Sequence, residues 1–207
     1  MRSNNNLKAG IILSCISMSM TIFIVLGFIN NSIGFMYFMG FNESAFKIPL
    51  AWLSSIILTI GYITYTARMI PLVRNNLFNF IGALKWIGIY AALTGGIMEE
   101  LVFRKIIMDW LNVNDIDVIS QIFISGVAFG LVHLSWSFLG GNLRIGIGST
   151  LSTFILGLLL AGIYIISDRN VLPAIFAHVT INLFIEPWLM VSVINEGKKV
   201  NKYRLFY

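Results

Sequence analysis

A few polar side chains stand out against the apolar stretches of this chain: Glu99, Glu100, Arg104, His133, His178 and Asn182. Glu100 and Arg104 are four residues apart with the acid on the N-terminal side, the spacing that puts opposite charges on one helical face. They read as a structural ion pair that neutralises itself. Glu99, one residue earlier, points about 100° away around a helix and does not share Arg104 as a direct partner. It is therefore available to a cavity, as a general base that takes a proton from water and later returns it must be. The chain has 2 histidines, and both lie inside apolar runs. Phe129 and His133 share a face by their four-residue spacing, and so do His178 and Asn182. A single buried histidine is usually a satisfied core residue. Two histidines, a glutamate without a partner and an asparagine on three separate apolar segments instead read together as one site.

The elements that must hold these residues are membrane helices. Of the 207 residues, 57% are hydrophobic and 11% charged, more apolar surface than a soluble domain of this size can hide. Apolar runs near the roughly 20 residues needed to cross the hydrocarbon core cover 9–29, 48–67, 80–98, 118–139, 146–167 and 171–194. The predicted fold class is an all-α integral membrane protein: a polytopic bundle of about six transmembrane helices plus a short amphipathic helix. The chain reads as a single membrane domain over 1–207, with a motif-bearing core over 80–195. The first run follows Arg2 and Lys8, but it is too long for a signal peptide and no small-x-small cleavage site follows it, so it reads as a retained helix. Cys15, the single cysteine, implies no disulfide framework.

Short cytoplasmic loops collect lysine and arginine. With the N-terminus inside, the inside segments carry Arg2, Lys8, Arg68, Arg74, Lys85, Arg144, Lys198, Lys199, Lys202 and Arg204, and the outside loops only Lys47 and Arg169. Both termini are then cytoplasmic, and the formal charge of +5 follows from topology and contact with anionic headgroups rather than from nucleic acid. Loop breakers fall at Asn30-Asn31, Pro71, Gly140-Gly141-Asn142 and Asp168-Arg169-Asn170. Gly126 with Gly130, and Gly157 with Ala161, permit close helix contact in lipid. Gly95-Gly96 reads as a break, after which a second, shorter helix begins and ends near Leu111, half buried or at the interface. Glu186 continues the His178 and Asn182 face just before Pro187, and reads as an interfacial acid near the helix end rather than a group behind the site.

Glu99-Glu100-x-x-x-Arg104, Phe129-x-x-x-His133 and His178-x-x-x-Asn182, in that order on hydrophobic helices, resemble the three motifs of the CAAX-protease and bacteriocin-processing family, also called Abi proteins. The match covers roughly residues 80–195. The resemblance implies an intramembrane endopeptidase that hydrolyses a peptide bond of a membrane-associated peptide or protein substrate. Glu99 and His133 would activate the water, His178 and Asn182 would donate hydrogen bonds to the oxyanion, and Glu100 and Arg104 would hold the helix. The family has been described both as metalloproteases and as glutamate-dependent proteases. Two histidines and a glutamate can bind zinc with one position open for water, so a metal here would use Glu99, His133 and His178. His-Glu-x-x-His is absent and zinc would consume both imidazoles, so the reading leans towards no cofactor.

Two other classes compete: a small proton-coupled transporter with a Glu/His relay, and a non-catalytic immunity or scaffold protein. Transporters of this kind show paired broken helices, and the sequence shows a single break. The composition points to the plasma membrane of a bacterium, where the resemblance implies bacteriocin immunity, leader-peptide removal or pheromone processing.

Overall fold

The computed structural model describes residues 2–204 of the chain, and the side chains of residues 4–197. The described residues are helical, with no strand among them. Helix α1 (Arg2–Asn30) leads to the short α2 (Ser32–Phe38), then α3 (Pro49–Met69) and the short α4 (Pro71–Asn76). Helix α5 (Ala83–Glu100) continues through a π-helix (Leu101–Met108) into α6 (Asp109–Val113). Helix α7 (Val118–Val132) passes through a 3-10 turn (His133–Ser135) into α8 (Trp136–Gly140). Helices α9 (Leu143–Ile166), α10 (Leu172–Ile185) and α11 (Trp188–Arg204) complete the chain. The described residues hold 5 helices long and apolar enough to cross a membrane, or 6 if the bent pair of α10 and α11 counts as one span. The protein is a multi-pass membrane bundle. Large apolar side chains such as Phe138, Ile119 and Phe23 stand outward, as a lipid-facing surface requires.

Helix α5 occupies the middle of the bundle, with α1 on one side and α10 on the other, while α7 packs along α9 and α3 against α10. Close approach of α7 and α9 depends on small residues, as expected. A Cβ on Gly157 would lie 3.1 Å from the Cα of Gly126. Polar cross-links add to the packing: Ser55 Oγ donates to the Pro173 carbonyl (2.8 Å), joining α3 to α10, and Tyr62 bonds Ser152 at 2.8 Å, joining α3 to α9. Within a bilayer such interhelical bonds average about 0.6 kcal/mol.

Three sequence expectations change. Gly95-Gly96 does not break the helix: α5, the π-helix and α6 form one 31-residue span. The pair instead serves contact, since a Cβ on Gly96 would meet backbone atoms of Val179 at 3.0 Å. The expected shorter helix up to Leu111 is the end of this span, and its wider π turns follow directly on Glu100. The break lies at Glu186-Pro187, where α10 and α11 meet at 56°. Proline disfavours the α conformation in the residue before it, and Glu186 is extended, with φ −86° and ψ 146°. Glu186 is also no interfacial acid, because it is buried. Lys85, counted above among the loop bases, is buried as well. Its Nζ donates to the carbonyls of Leu183 (2.6 Å) and Glu186 (2.7 Å), two of the acceptors left open where α10 ends. The side chains of Arg2 and of the Lys198 to Arg204 cluster lie outside the described residues.

Candidate active site

Glu100 closes the α-helical part of α5, with an ion-pair contact at one carboxylate oxygen and a hydrogen bond at the other. Arg104 Nε lies 3.0 Å from Glu100 Oε2, with neither side chain exposed, so the expected ion pair is present. Arg104 Nη1 donates to Ser125 Oγ (3.3 Å), and Ser125 Oγ donates to the Phe103 carbonyl (3.0 Å), which ties α7 to the π-helix. The other oxygen, Oε1, lies 2.8 Å from His178 Nδ1 on α10. A carboxylate held against a guanidinium accepts, so His178 donates from Nδ1 and turns Nε2 towards Glu99. Glu100 thus does more than hold its own helix.

His133 sits where α7 tightens into the 3-10 turn. Its Nδ1 is 2.8 Å from the Phe129 carbonyl, which can only accept. The carbonyl therefore fixes a proton on Nδ1, and in the neutral ring Nε2 is the acceptor. Glu99 Oε2 lies 3.9 Å from His133 Nε2 and 3.8 Å from His178 Nε2. Both gaps exceed a direct hydrogen bond and are short enough for a water to bridge the carboxylate to each ring. Glu99 Oε2 has no hydrogen-bond partner among the described residues.

These groups open onto one cavity of about 230 Å³, lined by Glu99, His133, His178, Asn182, Phe129 and Glu186 among others. Asn182 stands one turn beyond His178, as its spacing implies. The structure thus brings together all four residues singled out for chemistry and keeps Glu100 and Arg104 behind them.

Phe129 carries more than its place in the spacing indicates. Its ring packs against His133 (4.9 Å between centroids), His178 (5.5 Å) and Phe103 (5.1 Å), and the Arg104 guanidinium lies 5.0 Å from its centroid. One buried aromatic therefore sets the spacing of both imidazoles. Trp136 adds a second ring beside His133, 6.5 Å away and 20° from parallel. The sequence holds no signal for Trp136, Ser125 or Lys85 as parts of this assembly. Glu186 could have been found from its four-residue step beyond Asn182.

Glu99, His133 and His178 offer a chemically suitable donor set for zinc, each imidazole being oriented through its far nitrogen as metal-binding histidines commonly are. Two of their edges stand wider than those around a bound ion. Among the described residues no group of three or more His, Cys, Asp or Glu has the geometry of a metal centre. Donor-to-donor edges of about 3.3 Å would follow from tetrahedral zinc bonds of about 2.0 to 2.1 Å, against the 3.8 and 3.9 Å found here.

Two carboxylates, two oriented imidazoles and an amide gather at one cavity in a helical membrane bundle, an arrangement suited to intramembrane hydrolysis. Comparison with family models agrees: residues 81–184 match the model described as Type II CAAX prenyl endopeptidase Rce1-like. The match covers half of the chain, and the protein belongs to this family of CAAX-type intramembrane proteases. Neither the search of curated proteins nor the search of solved structures gave a match.

Proposed function

We propose that the protein is an endopeptidase that cuts a membrane-associated peptide or protein by water activated at Glu99, without a metal in the step. The observation that carries this reading is the Glu99 carboxylate, facing the Nε2 atoms of both histidines across gaps of 3.8 and 3.9 Å.

A water in that space donates one hydrogen to Glu99 and the other to the Nε2 lone pair of His133, which leaves an oxygen lone pair for the scissile carbonyl carbon. As the C–O bond forms, the proton passes to Glu99 and negative charge gathers on the carbonyl oxygen. His178 Nε2 and the Asn182 amide donate to that oxyanion, and one such donor accounts for about 3 to 4 kcal/mol of barrier. Collapse breaks the C–N bond, and Glu99 returns its proton to the leaving amine.

The geometry refines the role of His178. Its Nδ1 already donates to Glu100, so a neutral ring would offer a lone pair, not a donor, at Nε2. The donating form is the imidazolium. Glu99 and Glu100 against Arg104 leave one negative charge in a lipid-enclosed site, which a protonated His178 balances, and lipid penalises net charge heavily.

One membrane domain with both termini on the cytoplasmic side completes the proposal. Counting α10 and α11 as one bent crossing makes the number of spans even, and the positions of the bases favour that side. The test is cleavage of a quenched fluorogenic membrane-peptide library by detergent-purified protein, with wild type, Glu99→Gln and His133→Ala compared with and without a strong chelator. Cleavage by wild type alone, unaffected by chelator, is expected. Loss of cleavage in chelator would overturn the metal-free step, and equal cleavage by the variants would overturn the assignment of the residues.

A further inference from the structure

Glu186 has no part in the hydrolysis proposed above, and among the described residues its carboxylate meets the Met190 backbone N–H but forms no ion pair. The residue ends α10 in an extended conformation and lines the cavity that holds Glu99 and His133. It is 8% exposed, and its Oε2 is buried with no hydrogen-bond partner among the described residues. Lys85, the nearby cation, directs its ammonium to the backbone carbonyls of Leu183 and Glu186 instead. Among the described residues no lysine or arginine lines the cavity.

A buried acceptor without a donor costs about 1 to 3 kcal/mol, and more when it is charged. His178 balances Glu99 in the step above, and Glu186 adds a further carboxylate to the same cavity, which is therefore complementary to a guest that brings donors and positive charge. The walls next to Glu186 are apolar, from Ile185, Leu189 and Met190. Apolar walls ending at an acid match a methylene stem ending in a cation, the shape of lysine and arginine. We propose that Glu186 determines specificity by receiving the ammonium or guanidinium of a Lys or Arg side chain beside the scissile bond. The place of the subsite beside a scissile bond rests on the peptidase reading, whereas the cation subsite itself rests on Glu186.

The experiment uses full-length purified protein and pairs of membrane peptides that differ only in lysine or norleucine at one position, scanned along both sides of the cut. At one position wild type should favour lysine in kcat/KM by at least about tenfold, as expected when a buried charge is left without its partner. Glu186→Gln should bring that ratio close to one and Glu186→Asp should keep part of it, with the thermal midpoint in detergent checking that each variant is folded. Should Glu186→Gln fail to fold, n-butylammonium and n-butanol as competitors of wild-type cleavage give the same reading, and the ammonium should inhibit far more strongly. A wild type without lysine preference, a ratio unchanged in Glu186→Gln, or equal inhibition by the two competitors overturns the subsite and leaves the peptidase standing. If wild type cleaves nothing, the same peptide pairs are read by binding. Lysine-selective binding abolished by Glu186→Gln then keeps the subsite and removes the peptidase, and binding without selectivity removes both.

Discussion

Two charged clusters share the long span of α5, the π-helix and α6, and they differ in how completely their polar atoms are matched. At the far end, Asp109 Oδ1 accepts from Tyr164 (2.7 Å) and Arg169 Nη1 (3.0 Å), while Lys105 Nζ lies 2.8 Å from Oδ2. Arg169 Nη2 also donates to Asn112 (2.8 Å) and Gln121 (2.5 Å), with the backbone of Asp168 and Arg169 in the left-handed region at φ 53° and 59°. The cluster is a knot that fastens the end of the π-helix to α7 and the α9–α10 loop. Around Glu99 the matching is incomplete: among the described residues Glu99 Oε2, Glu100 Oε2, Arg104 Nε and Nη2, and Glu186 Oε2 are buried without hydrogen-bond partners, and Glu99 and Glu186 face a cavity. Polar groups are costly at membrane depth. The groups of the Asp109 cluster satisfy each other and fasten the fold, whereas the open acid oxygens of Glu99 and Glu186 belong to residues that line the cavity.

Substitutions can break this contrast or sharpen it. Arg104→Ala should have the largest effect, since removing one partner of a buried ion pair costs about 3 to 5 kcal/mol and leaves Glu100 unable to orient His178. Thermal unfolding in detergent should show the loss, and cleavage should vanish with it. Asn182→Ala should slow cleavage by about 10² to 10³ through the lost oxyanion donor, with little change in the melting midpoint. That split between rate and stability is what separates an open polar group from a knotted one. Gly96→Ala places a methyl against the Val179 backbone and should cost about 1 to 3 kcal/mol of stability. It should also lower kcat, because it moves the helix that carries His178. Tyr164→Phe removes one of several bonds to Asp109 and should cost about 1 kcal/mol while leaving turnover unchanged.

Much of the site was legible in the sequence because its pairs are local. The four-residue steps from Glu100 to Arg104, Phe129 to His133 and His178 to Asn182 put each pair on one helical face, and helical periodicity can be read directly. Contacts between helices far apart in the chain leave no such trace. Nothing near Glu100 shows that its second oxygen meets His178, or that Arg104 reaches Ser125. Lys85 was misread because a base near a helix start resembles a loop charge until the end of α10 is seen folded over it. Gly95-Gly96 was misread for a related reason: glycine in a membrane helix serves close packing as readily as a break, and only the position of Val179 decides between them. The actual break had its own local signal in Pro187.

The most direct test neutralises one acid from each cluster, comparing Glu99→Gln with Asp109→Asn on the same fluorogenic membrane peptide, with turnover per folded molecule and melting midpoint measured together. Glu99→Gln should lose activity by about 10² to 10⁴, the range for a general base, at an unchanged or higher melting point. Asp109→Asn should melt several degrees lower and turn over normally. Activity retained in Glu99→Gln, or abolished equally in both proteins at unchanged stability, would contradict the division between an open catalytic cluster and a closed structural one.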